Sequence, residues 1–311
     1  MCTMKKKFQM IGFALSVLWV TLPIVTVGAD NAASGKQKKE KTTESALGVK
    51  PVTGSWINLA YKDVRNKYTN PQSFDNMDPK LWEAKVRELS AMGIEYLVLM
   101  EVANEGKSYY PSQIMPWWYN KDKKSPVDAI LDEAAKHNMK IFMSSGWAKD
   151  QDDNLLDPAI KERQLRIMEE LASLYKNHKA FYGWYLPVED CLCPIFAEHA
   201  VQSVNTLSEK AKKLAPGKKT LISPYGIGLS EFDNPEYEKQ MQKLKVDIIA
   251  YQDEVGCVRD QFTLPRLKKN WQRLRDIHNR LNIEMWANCE TFTWEEGTND
   301  RTSALIPAAY P

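Results

Sequence analysis

The chain has 311 residues, enough for one large domain with a full core. Its formal charge of +2 falls to about −1 once Lys5, Lys6 and Lys7 are set aside with a leader. That near-neutral balance gives no electrostatic support to a nucleic-acid or anionic-membrane partner.

Residues 1–29 read as a signal peptide. Lys5–Lys7 form a positive start, residues 10–25 an apolar run, and Val27-Gly28-Ala29 a small-residue cleavage site. Cleavage near Ala29 would send the protein to the periplasm or outside the cell; an uncleaved membrane anchor is the alternative. Residues 30–50 are rich in Lys, Ser, Thr and Glu without apolar periodicity, which is the composition of a disordered linker.

From residue 51 onward, strand and helix patterns alternate. The first strand is expected over 54–61. Asp78-Pro79 then opens a helix in which Leu81, Trp82, Val86, Leu89 and Met92 recur at helical spacing, ended by Gly93. A second strand is expected over 94–102, a helix from Ser125-Pro126 to about residue 138, and a third strand over 139–147. Asp157-Pro158 starts the next helix, which runs to about 179. The fourth strand, from Phe181, stops at Glu189 and Asp190. Further helices are expected over 195–214, 236–244 and 264–282. Strands five, six and seven are expected over 219–225, 246–253 and 283–292.

Repeating units of roughly 30–45 residues imply parallel pairing with right-handed crossovers. Seven of them point to an α/β fold, a (β/α)8 TIM barrel spanning 51–311. No Gly-rich phosphate loop follows the first strand, which argues against a nucleotide-binding sheet. The sequence stops at Pro311, where a seventh helix should be forming, so the expected barrel is incomplete at its C-terminal end.

Carboxylates cluster at the expected strand ends: Glu101, Glu189 with Asp190, Asp253 with Glu254, and Glu290. Parallel strands place them on one rim. Like charges crowded there raise one another's pKa, so one acid can donate a proton while another stays ionised. Two carboxylates across a glycosidic bond are the minimum equipment for glycoside hydrolysis, and Glu189 and Glu290 could face each other across the mouth. Asp190 and Glu254 read as supporting or solvated groups.

Aromatics fit a carbohydrate ligand. Tyr61, Trp117, Trp118, Tyr119, Trp147, Tyr225 and Tyr251 fall at or after strand ends, where flat rings can stack on sugars. Trp184 and Trp286, inside strands, read as barrel filling. Gln252 and Asn288 could grip a hydroxyl. His137, His178, His199 and His278 all lie in or beside expected helices, which disfavours a histidine metal site or a Ser/His/Asp triad, and no cofactor is expected. Cys191, Cys193, Cys257 and Cys289 fall near the same rim; export permits disulfides, Cys257–Cys289 being one candidate, but spacing does not give the pairing.

Three stretches carry a resemblance: Gly183-Trp-Tyr-Leu-Pro-Val-Glu189, Ala250-Tyr-Gln-Asp253 with Gly256, and Trp286-Ala-Asn-Cys-Glu290-Thr-Phe292. They resemble the secreted bacterial family labelled domain of unknown function 4434, a glycoside-hydrolase-like barrel, from about Val52 to the end. The placement is also similar to the large clan of retaining glycosidases, with an acid/base after strand four and a nucleophile after strand seven. The resemblance implies Glu189 as acid/base and Glu290 as nucleophile. By their positions at the expected strand ends, Tyr61, Glu101, Trp147, Tyr225, Tyr251, Gln252, Asp253 and Asn288 are the expected contacts of a carbohydrate substrate. Val188 stands where that clan usually has Asn, which leaves open a barrel that binds glycans without cleaving them.

Overall fold

The structure is a computed structural model that describes residues 51–59, 78–104, 106–144, 156–256, 263–294 and 305–307. The expected leader and linker, and the candidates Tyr61, Trp147 and Cys257, lie outside these residues. Parallel strands and helices alternate as β1 (Gly54–Ile57), α1 (Pro79–Ala91), β2 (Tyr96–Leu99), α2 (Pro126–Lys136), β5 (Lys140–Ser144), α3 (Pro158–Tyr175), β6 (Phe181–Tyr185), α4 (Glu198–Leu214), β7 (Lys219–Ile222), α5 (Pro235–Lys243), β8 (Ile248–Gln252), α6 (Leu264–His278) and β9 (Glu284–Asn288). A hairpin of β3 (Ala103–Asn104) and β4 (Lys107–Ser108) interrupts the loop after β2. After β9, β10 (Phe292–Trp294) pairs antiparallel with β11 (Leu305–Pro307), so Phe292, expected as the end of the seventh strand, opens a separate strand. The alternation of Thr with Phe and Trp in that stretch suits an extended chain better than a helix.

The starts of the helices follow from local chemistry. Asp78, Ser125, Asp157 and Asn234 each accept a backbone N–H of the first turn through the side chain, with Pro next in sequence. α4 differs: it begins at Glu198 rather than Ile195, its N-cap Ala197 has no capping side chain, and the Asp190 carboxylate accepts the Ala197 N–H from seven residues away at 2.7 Å.

Seven parallel strands form one sheet in the order β1-β2-β5-β6-β7-β8-β9. If it were flat, β2 and β9 would lie five spacings, about 24 Å, apart. Instead the Trp286 ring of β9 meets the Tyr96 ring of β2 at 5.0 Å and the Phe142 ring of β5 at 5.8 Å. The sheet therefore curls, and its concave side is filled by Trp56, Val98, Met100, Phe142, Tyr185, Leu221, Ile248 and Ala250. The convex side carries the larger core shared with the helices. Tyr96, Tyr182 and Trp286 pack near the N-terminal ends of the strands, with the Lys140 ammonium over two of those rings. The C-terminal ends are left as the open mouth of a TIM-barrel-like fold.

Pairing between β5 and β6 shifts register, so that Ile141 faces Phe181 but Phe142 faces Gly183. This extra residue puts both Tyr182 and Tyr185 on the concave side, although a regular strand would place them on opposite faces. It also turns Trp184 into the convex, helix-facing core, correcting the expectation that Trp184 fills the barrel; Trp286 does lie on the concave side.

Gly183 is a point of close approach between β6 and its neighbours. A Cβ there would stand 2.6 Å from both the Lys219 carbonyl oxygen and the Phe142 ring. Gly183→Ala is expected to cost roughly 1–3 kcal/mol, seen as a lower Tm by circular dichroism; an unchanged Tm would contradict the close approach.

Candidate active site

Every acid singled out in the sequence follows a strand of the curled sheet. Glu101, after β2, is 3% exposed, and its Oε1 accepts the Leu59 N–H at 2.7 Å, tying the ends of β1 and β2 together. Tyr185, the last residue of β6, is fully buried on the concave side and donates its hydroxyl to Glu189 Oε1 at 3.3 Å. Burial pushes the Glu189 carboxyl up to about 7, against the pull of that hydroxyl. The Asp190 carboxylate is hydrogen-bonded to the start of α4.

Across the mouth, three more carboxylates meet. Asp253 Oδ1 accepts the backbone N–H of Glu290 at 3.0 Å and of Val255 at 3.2 Å. Glu290 is 7% exposed, and its Oε2 accepts the Gly256 N–H at 2.8 Å. Glu254 is equally buried, in the left-handed conformation at φ 54, and accepts the Gly226 N–H. Burial first, then the charges of Glu290 and Asp253, push Glu254 up to about 7; burial also raises Asp253. Among the described residues no group of three or more His, Cys, Asp or Glu side chains could hold a metal ion.

Both amide candidates bond to Ser223. Gln252 donates to the Ser223 carbonyl at 2.8 Å, Asn288 donates to Ser223 Oγ at 3.1 Å, and Ser223 Oγ donates to the Ala250 carbonyl. Tyr225 is half-buried, and its backbone pairs with the loop carrying Glu189: Leu192 N–H donates to Tyr225 O, and Tyr225 N–H to Asp190 O.

Tyr251 is not at the mouth. Neighbouring residues of a strand point to opposite faces, and with Gln252 on the concave side Tyr251 lies in the helix-facing core. His278 Nδ1–H donates to the Ile283 carbonyl, which leaves Nε2 to accept the Tyr251 hydroxyl at 2.9 Å; Tyr251 in turn accepts from Tyr237 at 2.8 Å. Trp117 and Trp118 are half-buried and Tyr119 is buried, all packed against the larger core. Glu170 of α3 accepts from Tyr110, Ser112 and Gln113, folding their loop over the helix layer. Trp117 stacks on Tyr119 under Lys121, and Trp118 on Tyr109 under Lys107.

The sequence reading did not single out Tyr185 or Ser223. Tyr185 could have been found by its place at the end of the strand, four residues before Glu189. Cys191 and Cys193 form a disulfide, and Cys289, on an exposed residue, keeps a free thiol that partial desolvation and the Asp253 charge push up to about 11.

Comparison with known proteins bears on this geometry. The sequence pattern of a family described as "Domain of unknown function (DUF4434)" matches residues 52–309. The fold is similar to that of a "putative alpha-L-fucosidase" from Bacteroides thetaiotaomicron, with a TM-score of 0.63 at 19% identity over 90% of this chain and 84% of that one. An endo-beta-1,4-xylanase from Gloeophyllum trabeum aligns with a TM-score of 0.49 at 11% identity, covering 79% of this chain and 73% of that one. The intracellular xylanase TsXylA from Thermoanaerobacterium saccharolyticum aligns at 0.46 and 15% identity, covering 79% and 75%. No curated protein matches the sequence.

Removing the Tyr251 hydroxyl strands Tyr237 and His278. Tyr251→Phe is expected to cost about 1–3 kcal/mol of stability, seen as a lower Tm, with ligand affinity unchanged. Burial holds the His278 pKa below the usual 6.5, so the stabilisation is complete above that pH and is lost as pH falls below it. An unchanged Tm with weakened sugar binding would return Tyr251 to the mouth.

Proposed function

This chain belongs to the DUF4434 family, and we propose that it is a secreted glycoside hydrolase that cleaves O-glycosidic bonds of an oligo- or polysaccharide with retention. One observation carries the reading: two buried or half-buried glutamates follow strands of the same curled sheet, and one of them, Glu189, is pushed up to about 7. Glu189, pushed up to about 7, carries a proton for much of the time at neutral pH. Glu290 is held in place by the Gly256 N–H at 2.8 Å. An acid able to donate a proton and a second carboxyl group held at the end of another strand of the sheet are the pair that hydrolysis uses.

Glu290 attacks the anomeric carbon while Glu189 passes its proton to the departing glycosidic oxygen. Glu189, now ionised, then takes a proton from water as that water attacks the same carbon and releases Glu290. Tyr185 holds Glu189 through the first step and steadies its carboxylate after it. The leader at 1–29 supports export, with mature protein beginning at Asp30; N-terminal mass analysis of the processed protein checks this.

Val188 favours a second reading. It packs toward the helix-facing core and presents no amide at the mouth. A barrel that binds glycans without cleaving them predicts no turnover in the parent and undiminished affinity in Glu189→Gln.

The test is a glycan-hydrolysis screen of the full chain beside Glu189→Gln and Glu290→Gln, with aryl α-L-fucosides included because one similar fold bears that name. Each variant is expected to lose roughly 10²–10⁴-fold in kcat; activity that survives both changes refutes the mechanism. In the parent, kcat/KM should fall as pH rises through about 7, where Glu189 loses its proton. Tyr185→Phe removes a donor that favours the ionised form, so this limb should move to higher pH; a limb that stays put or moves down would separate it from Glu189.

A further inference from the structure

The loops that carry Glu189 and Glu290 are joined by one line of contacts, and Glu254 sits at its middle. Asp190, next to Glu189, accepts the Tyr225 N–H through its carbonyl at 3.2 Å, and Tyr225 O accepts the Leu192 N–H at 2.9 Å. Gly226 follows, in the left-handed region at φ 84; a Cβ on it would stand 3.0 Å from both sulfurs of the Cys191–Cys193 disulfide. The backbone of Gly226 thus fits against the disulfide loop with no room for a side chain. Ser230 Oγ lies 2.6 Å from the Leu192 carbonyl and 2.7 Å from that of Gly226, pinning the two segments together.

On its other side Gly226 donates its N–H to the Glu254 carboxylate. Glu254 lies in the short segment that holds Glu290 at both ends, with Asp253 accepting the Glu290 N–H and Gly256 donating to Glu290 Oε2. A left-handed backbone is uncommon for a glutamate and persists where the surroundings demand it. Here it belongs to a buried side chain that bridges from the end of β8 to the loop after β7.

We propose that Glu254 is a positioning residue, a strut that couples the loop of Glu189 to the segment gripping Glu290 and so sets the spacing of the two carboxylates. This rests on the glycosidase reading for its consequence but not for its geometry. A misplacement of about 1 Å can cost on the order of 100-fold in rate, so a side chain that touches no substrate can still govern turnover.

Asn tolerates the left-handed region well, and its shorter side chain falls short of Gly226, whereas Gln keeps the reach and an accepting oxygen. Glu254→Asn is expected to lower kcat about 100-fold with KM within about threefold, and Glu254→Gln to recover most of the loss. Amide exchange by mass spectrometry reads the strut without substrate. Peptides covering 190–193 and 225–227 should exchange about tenfold faster in Glu254→Asn, matching the loss of one buried hydrogen bond, with parental rates in Glu254→Gln. Parental exchange in Glu254→Asn, or equal damage in both variants, overturns the proposal. A parent without glycosidase activity refutes the proposed reaction, and the exchange data then decide the strut alone.

Discussion

The contact of Trp286, on the last strand of the sheet, with Tyr96, on the second, turns a ladder of strands into a mouth. Seven parallel strands have two faces to bury, and helices cover only one of them. The curl brings the other face onto itself, where Trp56, Phe142, Tyr185 and their aliphatic neighbours exclude water from the concave side. Gly183 lets the Phe142 ring lie on the backbone of β6, and the register shift beside it aims Tyr182 at the N-terminal end and Tyr185 at the mouth. Everything proposed about chemistry depends on that geometry, because it makes acids that are distant in sequence share one rim.

Burial, more than mutual repulsion, sets the character of those acids. Glu189 and Glu254 are both pushed up to about 7, and desolvation is the largest cause for each. They differ in what they hold. Glu189 meets a tyrosine hydroxyl and keeps partial exposure, which leaves it able to reach a ligand. Glu254 is buried and committed to a backbone amide. Two groups of similar proton affinity thus divide into one suited to proton transfer and one suited to holding loops together.

Much of this was legible in the sequence because it rests on local rules. An Asp or Ser before a Pro marked the starts of α1, α2 and α3, and the strand-helix alternation marked a parallel barrel-like sheet. What was not legible depends on contacts between distant segments. The start of α4 depends on Asp190 capping from outside the helix. Trp184 changes sides because of a register shift set by the partner strand, and the loop that leads into the aromatic run at 117–119 is tied to α3 by Glu170, some fifty residues later. Tyr251 is a different case: strict alternation along β8 excludes Tyr251 and Gln252 from sharing a face, so its burial beside His278 could have been read from the pattern alone.

The claim at the centre is that Glu189 and Glu290 converge on one glycosidic bond. It is tested most directly by a crystal structure with an oligosaccharide bound across the mouth. The account predicts a sugar between the two carboxyl groups and a separation of about 5–5.5 Å. Carboxyl groups more than about 9.5 Å apart, or a sugar seated away from both, would contradict it.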